Sequence, residues 1–146
     1  MTPTARALWL LLGLFVLRVV GQVIVVVWEP AWLPPNHEWM SGLMPYPLLL
    51  PSQLLLIALL AAIARDATRQ SGWFNGPAPR TGRALRWFGY LYAGSMVARY
   101  ILTMALLPER RWLGGTIPIW FHLVLAAFVY TYARWLERRP PELRRR

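Results

Sequence analysis

Two arginines lie near the centre of long apolar stretches of the sequence, where a charged side chain is costly. Arg18 lies in the apolar stretch 7–28 and Arg99 in the stretch 85–107. A charged group at the centre of a membrane-spanning helix costs about 2.5–3.5 kcal/mol on insertion scales, so each arginine needs a partner or a purpose. Unless an acid of the flanking loops reaches them, the sequence predicts that they bind a lipid phosphate, an anionic ligand or an acidic group on another protein.

Other polar residues lie at similar depth in all four apolar stretches of the chain. Gln22 is one turn from Arg18 on the same helical face. The third stretch carries a polar stripe at i, i+3, i+7 and i+11, and the second and fourth stretches each carry one polar residue about 8–9 Å from their outer ends. These side chains could bond to one another and hold the helices together, or they could line a ligand pocket. On the second interpretation the ligand-binding residues are Arg18, Gln22, Gln53, Tyr92, Ser95, Arg99 and His122.

The two histidines are weak candidates for metal ligands. His37 and His122 show no metal-ligand spacing and no acidic cluster beside them. His122 alone could bind the metal of a haem or chlorin, although a lone histidine at this depth is more often a hydrogen-bond partner. The chain has no cysteine, which excludes disulfides, thiolate metal sites, iron–sulfur clusters and thiol catalysis. The cofactor therefore stays unassigned.

Groups that could catalyse a reaction are few in this sequence. Ser95 lies near Arg99, which is not a base, so it has no partner that would activate it as a nucleophile. The only conceivable acid–base pair joins His122 to Glu29 or Glu38 of the first loop. The sequence therefore favours a function other than catalysis.

The helices that must position these residues are read from hydropathy. Apolar residues make up 57% of the chain, and the mean hydropathy is +0.37. Four stretches are long enough to cross a hydrocarbon core of about 30 Å at 1.5 Å per residue. The sequence thus predicts one all-α transmembrane domain over residues 1–146, an integral membrane four-helix bundle with an interfacial outer loop between helices 1 and 2. The predicted spans are 7–28, 48–64, 85–107 and 117–136.

Arginine distribution predicts the orientation in the membrane. All 16 basic residues are arginine, and the net charge is +10. They concentrate in the second loop and the C-terminal tail, whereas the first loop has none, so both termini are predicted to be cytoplasmic, in a bacterial inner membrane. Because the charge lies at membrane ends, lipid headgroups rather than nucleic acid are its expected partners. Tryptophans form an expected outer belt at Trp28, Trp32, Trp39, Trp112 and Trp120; an aromatic ligand cage is the alternative.

These observations leave three hypotheses for function. The first is a non-enzymatic subunit, or an accessory or assembly protein, of a larger membrane complex, completed by other membrane subunits and by lipid. The alternative is binding or transport of a small anionic or quinone-like amphiphile in an outward-facing intramembrane pocket. The third is a cofactor-bearing electron-transfer subunit that uses His122.

Overall fold

The computed structural model describes residues 1–39, 45–76, 78–107 and 116–138, and these ranges are helical without any strand. This confirms the all-α prediction. The first loop contains a short α-helix, and the second loop contains a 3-10 helix. The elements are α1 (Pro3–Trp28), α2 (Asn36–Trp39), α3 (Tyr46–Arg69), the 3-10 helix (Trp73–Asn75), α4 (Pro79–Leu106) and α5 (Ile117–Arg138).

Capping groups set the ends of the long helices beyond their apolar stretches. The Thr2 hydroxyl accepts a hydrogen bond from the amide of Ala5 at 3.2 Å, so α1 begins before its first long apolar run. The α1 and α3 helices end at Glu29 and Gln70, both in the left-handed conformation that closes many helices. The helices therefore extend beyond the predicted spans at their polar ends, because the cap and not hydropathy decides where a helix stops.

Among the described residues, three helices are long and apolar enough to cross a membrane, namely α1, α3 and α5. This supports a membrane protein with transmembrane helices. The α4 helix occupies the third predicted span and is the longest of the set, with 28 residues. It does not reach the hydropathy of the other three, because Arg99, glycines and tyrosines interrupt its apolar residues. The predicted third crossing is thus a helix in the expected place that is less apolar than the other three.

The four long helices pack side by side in the order α3, α1, α5 and α4. Neighbours are antiparallel: the Trp9 indole near the start of α1 donates to the Thr68 hydroxyl near the end of α3 at 3.0 Å. Between α4 and α5, an added Cβ on Gly82 would lie only 2.9 Å from the carbonyl oxygen of Ala133. Glycine therefore lets these two backbones approach closely. This order makes α1 the floor of any cavity between α3 and α5.

The apolar core fills the half of the molecule that contains the start of α1. Its α1 side is a regular row at Leu8, Leu12, Phe15 and Val19, which faces α3 and α5. Phe128 of α5 is 1% exposed and is among the most completely buried large side chains. Above this core, toward the end of the molecule that holds α2, buried polar residues replace apolar ones. The fold therefore separates an apolar half from a polar layer.

The α2 helix packs against α1 and α5 at the polar end of the molecule. The exposed side chains of Trp28 and Trp32 are compatible with the predicted belt, whereas Trp39 is 8% exposed. Its ring lies against Gly21, and its indole donates to the carbonyl oxygen of Pro34 at 3.0 Å. Trp39 therefore departs from the belt prediction and is an internal packing residue. Trp112 lies outside the described residues.

Candidate ligand-binding site

Arg18 is buried among hydrogen-bond acceptors that carry no charge. Its side chain is 7% exposed. One guanidinium nitrogen, Nη1, donates to Oε1 of Gln22, one helical turn away, and Nη2 donates to the backbone carbonyl of Trp39 at 2.9 Å. Neither of the two ion pairs formed within the described residues includes Arg18. The positive charge is thus solvated by an amide and a carbonyl but is not neutralised by them.

Gln22 links Arg18 to α3. The side chain of Gln53 donates from Nε2 to the same Gln22 oxygen at 3.2 Å. Because a guanidinium has only donors, the Gln22 atom that faces it must be oxygen, and this in turn fixes the Gln53 amide with nitrogen toward Gln22. Nε2 of Gln22 and Oε1 of Gln53 have no hydrogen-bond partner in the described part of the chain. The three side chains therefore form one chain of hydrogen bonds with unused capacity at its ends.

Tyr92 and His122 form a second polar pair, between α4 and α5. The Tyr92 hydroxyl oxygen lies 2.5 Å from Nδ1 of His122, and the rings meet edge-on with centroids 5.7 Å apart. Nε2 of His122 makes no hydrogen bond with any described residue. If the hydroxyl donates to Nδ1, the imidazole proton sits on Nε2, which then becomes a free donor. Tyr92 can thus fix the tautomer of the histidine.

A cavity of about 510 Å³ joins these groups. It lies between α3 and α5, has α1 as its floor, and falls within the range of roughly 300–1,000 Å³ typical of small-molecule sites. Its polar residues lie in the half nearer α2, where Leu49, Pro118 and Phe121 also line it, and the deeper half is lined by apolar residues alone. Leu55 and Leu59, on its rim, are 75% and 44% exposed, so the apolar side opens laterally. The polar lining is Arg18, Ser52, Gln53, Tyr92 and His122, and the apolar lining includes Phe15, Leu56 and Leu125.

Three of the predicted ligand-binding residues do not line this cavity. Gln22 bonds to Arg18 and Gln53, which do, and the other two lie in a shallow groove along α4. Ser95 and Arg99 line this groove with Ala98, Leu102 and Thr103. The Ser95 hydroxyl donates to the carbonyl of its own helix at residue 92, at 2.8 Å. The Arg99 guanidinium makes no hydrogen bond or ion pair with the described residues. The polar residues that the sequence places in one layer therefore form two groups, one around the cavity and one along α4.

The two histidines line different cavities. His37 borders a larger hollow of about 860 Å³ beside the connection between α1 and α2, together with Glu29 and Asn36. That hollow contains no arginine, so the cavity with the buried cation is the stronger candidate site. No group of three or more His, Cys, Asp or Glu side chains that could hold a metal ion occurs among the described residues. With its proton on Nε2, His122 can donate a hydrogen bond to a ligand but cannot bind a metal through that atom, and no second histidine lines its cavity among the described residues.

Two important residues had no signal in the sequence strong enough to single them out. The backbone carbonyl of Trp39 accepts a hydrogen bond from Arg18, and the sequence gives no signal for contacts made by backbone groups. Asp66, at the opposite end of α3, is 5% exposed and accepts a hydrogen bond from the amide of Phe74 at 3.2 Å. The Tyr132 hydroxyl of α5 donates to the carbonyl of the same Phe74 at 3.0 Å. Asp66 thus anchors the 3-10 helix, and its role is structural.

Comparison with protein-family models, with curated proteins and with solved structures finds no match to this chain. The function of this protein must therefore be inferred from the cavity and its residues.

Proposed function

We propose that this protein binds a small amphiphile with an anionic head in the cavity between α3 and α5. The observation that carries the proposal is Arg18, a buried guanidinium at a cavity wall without a carboxylate partner in the described residues. Removing a cation from water costs several kcal/mol unless an opposite charge compensates it. An oxyanion in the cavity would supply that charge and would accept hydrogen bonds from the N–H groups of Arg18 that are still free.

The shape of the cavity fits an amphiphile better than a soluble anion. The polar groups lie in the half of the cavity nearer α2, beside Leu49, Pro118 and Phe121. The apolar residues Phe15, Leu56 and Leu59 continue the cavity toward the middle of the molecule. The α3 residues that line it extend from Leu49 to Leu59, about 15 Å along the helix axis. A single acyl or alkyl chain can occupy the deep part and leave through the open rim, while the head stays beside Arg18.

The membrane arrangement that goes with this function has four crossings. The α4 helix completes the bundle as the third crossing, the Arg-rich second loop and both termini are cytoplasmic, and the protein resides in a bacterial inner membrane. Support comes from the arginine distribution. In this orientation the α2 end faces outward, so the pocket takes its ligand from the outer side.

Binding of hexadecyl phosphate to the purified protein in nanodiscs tests the proposal. We expect the wild type to bind it at least ten times more tightly than hexadecanol, because loss of a charge-assisted hydrogen bond costs about 1.5–3 kcal/mol. Arg18→Gln should remove most of this preference. Arg134→Gln, at the other end of the molecule, should leave it unchanged.

The wild-type comparison does not depend on how well the Arg18 variant folds. Equal affinity for the phosphate and the alcohol, or no binding of either, would overturn the proposal. Circular dichroism of each variant verifies that the helices are retained.

A second candidate function is the non-enzymatic subunit of a larger membrane complex. The observation that favours it is α4, which packs chiefly against α5 and is less apolar than the other long helices. A helix of that composition is better suited to protein than to lipid on its remaining faces. Gly94 lies on such a face, with no atom within 4 Å of an added Cβ. Crosslinking from Gly94→Cys should then capture one stoichiometric partner, whereas a ligand-loaded monomer with no crosslink would refute this role.

A further inference from the structure

We infer that the α4 groove is the path by which the anionic head reaches the cavity, and that Arg99 receives the head before Arg18 holds it. This inference rests on the proposed function and names a step that precedes binding.

The groove and the cavity are neighbours along α4 and are separated by less than one helical turn. Ser95 lies in the groove and Tyr92 in the cavity. These residues are three apart, which is about 4.5 Å along the axis, and the Ser95 hydroxyl bonds directly to the carbonyl of Tyr92. The groove extends from there to Leu107, at the end of α4. A head group that follows the groove inward therefore arrives at Tyr92 and its partner His122.

Arg99 is placed as an intermediate cation on this path. It is seven residues beyond Tyr92, which puts it on nearly the same face of α4 and about 10 Å closer to the helix end. Its guanidinium is half-buried and has no partner within the described residues. Most of the other groove residues, including Ala98 and Leu102, are apolar and offer a surface for a chain. The groove thus offers one charge for the head and an apolar surface for the tail.

The energetic need for such a path follows from the cost of charge in hydrocarbon. The open rim at Leu55 and Leu59 admits the tail laterally, but an anionic head that moved through the same opening would lose its hydration without a counter-charge. Along α4 the head meets Arg99 first and Arg18 next, so a cation is near it at both depths. In this mechanism the two arginines have different kinetic roles.

A charge on the approach path affects association, and a charge in the binding site affects dissociation. Stopped-flow measurements with a fluorescent hexadecyl phosphate separate the two rates. We expect Arg99→Gln to lower the association rate constant about tenfold at low ionic strength and to leave dissociation within about twofold. Arg18→Gln should instead accelerate dissociation, and Arg99→Lys should restore association.

The control is Arg134→Gln, which removes one arginine far from the groove and should change neither rate. The inference is overturned if Arg99→Gln leaves the association rate unchanged, or if it acts through dissociation as Arg18→Gln does. Failure of the wild type to bind any alkyl phosphate would instead refute the proposed function itself.

Discussion

Replacing Gly21 by alanine is expected to destabilise the protein, although alanine is the better helix former. A Cβ at residue 21 would lie 2.8 Å from Cη2 of the Trp39 ring and 3.0 Å from Cζ3, whereas carbon atoms prefer roughly 3.5–4.0 Å. The ring must therefore move by roughly 0.5–1 Å. Because the ring is buried, the short helix α2 moves with it, and the 2.9 Å hydrogen bond from Arg18 to the Trp39 carbonyl lengthens.

The expected magnitude is the balance of two opposing effects. Alanine in place of glycine in a helix interior stabilises by about 0.8–1.0 kcal/mol. Weakening a hydrogen bond to a buried charged group costs about 1.5–3 kcal/mol. Gly21→Ala should therefore lower the free energy of unfolding by about 1 kcal/mol. Gly13→Ala, in the same helix, has no atom within 4 Å of its new Cβ and should raise that free energy by up to about 1 kcal/mol.

Unfolding in mixed micelles with increasing dodecyl sulfate, followed by helical circular dichroism, compares the two variants with the wild type. The midpoints should move in opposite directions, with a difference of about 2 kcal/mol between the variants. If Gly21→Ala stabilises as much as Gly13→Ala, the Trp39 ring can move aside with no loss of free energy of unfolding. The backbone carbonyl of Trp39 then does not determine the position of Arg18.

Three further changes test the packing and the topology. Gly82→Ala places a Cβ 2.9 Å from an α5 carbonyl oxygen and should lower the free energy of unfolding by about 1–3 kcal/mol in the same assay. Gly94→Ala, which has open space around its Cβ, should not lower it. Equal effects of the two substitutions would contradict the close packing of α4 on α5. Tyr132→Phe removes the hydrogen bond to the 3-10 helix and should lower the free energy of unfolding by about 1 kcal/mol. An unchanged unfolding midpoint would argue against that bond. Trp32→Cys and Trp73→Cys each introduce a single thiol at an exposed position, and a membrane-impermeant maleimide should label only the first in intact cells. Labelling of the second instead would reverse the inferred orientation.

Hydropathy was sufficient to locate the long helices but not to define their ends or their lipid exposure. The stretches 7–28, 48–64 and 117–136 correspond to helices that are apolar enough to cross a membrane. The stretch 85–107 is also helical, yet α4 begins at Pro79, before its apolar residues. Proline is favoured in a first helical turn, and this signal is independent of hydropathy. Length and apolarity therefore located four long helices, three of which are apolar enough to cross a membrane.

Depth along the helices brought part of the candidate site together correctly. Counting residues from the helix ends placed Gln53 and His122 at a common level, and the structure finds both at one cavity. The same counting could not separate Ser95 and Arg99 from that cavity, because spacing within α4 does not show how far α5 covers the face that Tyr92 and Arg99 share. The rotation of a helix is set by its neighbours, and no residue spacing within the helix reveals it.

The way Arg18 is held restricts what the cavity can attract. A carboxylate partner would neutralise the guanidinium and leave the cavity without a net charge. An amide and a carbonyl each accept one hydrogen bond from Arg18 while its full charge remains. Two opposite charges 4 Å apart interact by about 4 kcal/mol at an effective dielectric constant of 20. A zwitterionic headgroup would recover less of this energy, because its ammonium would face the same cation. The same arrangement therefore favours an anionic head over the neutral and zwitterionic heads of other membrane lipids.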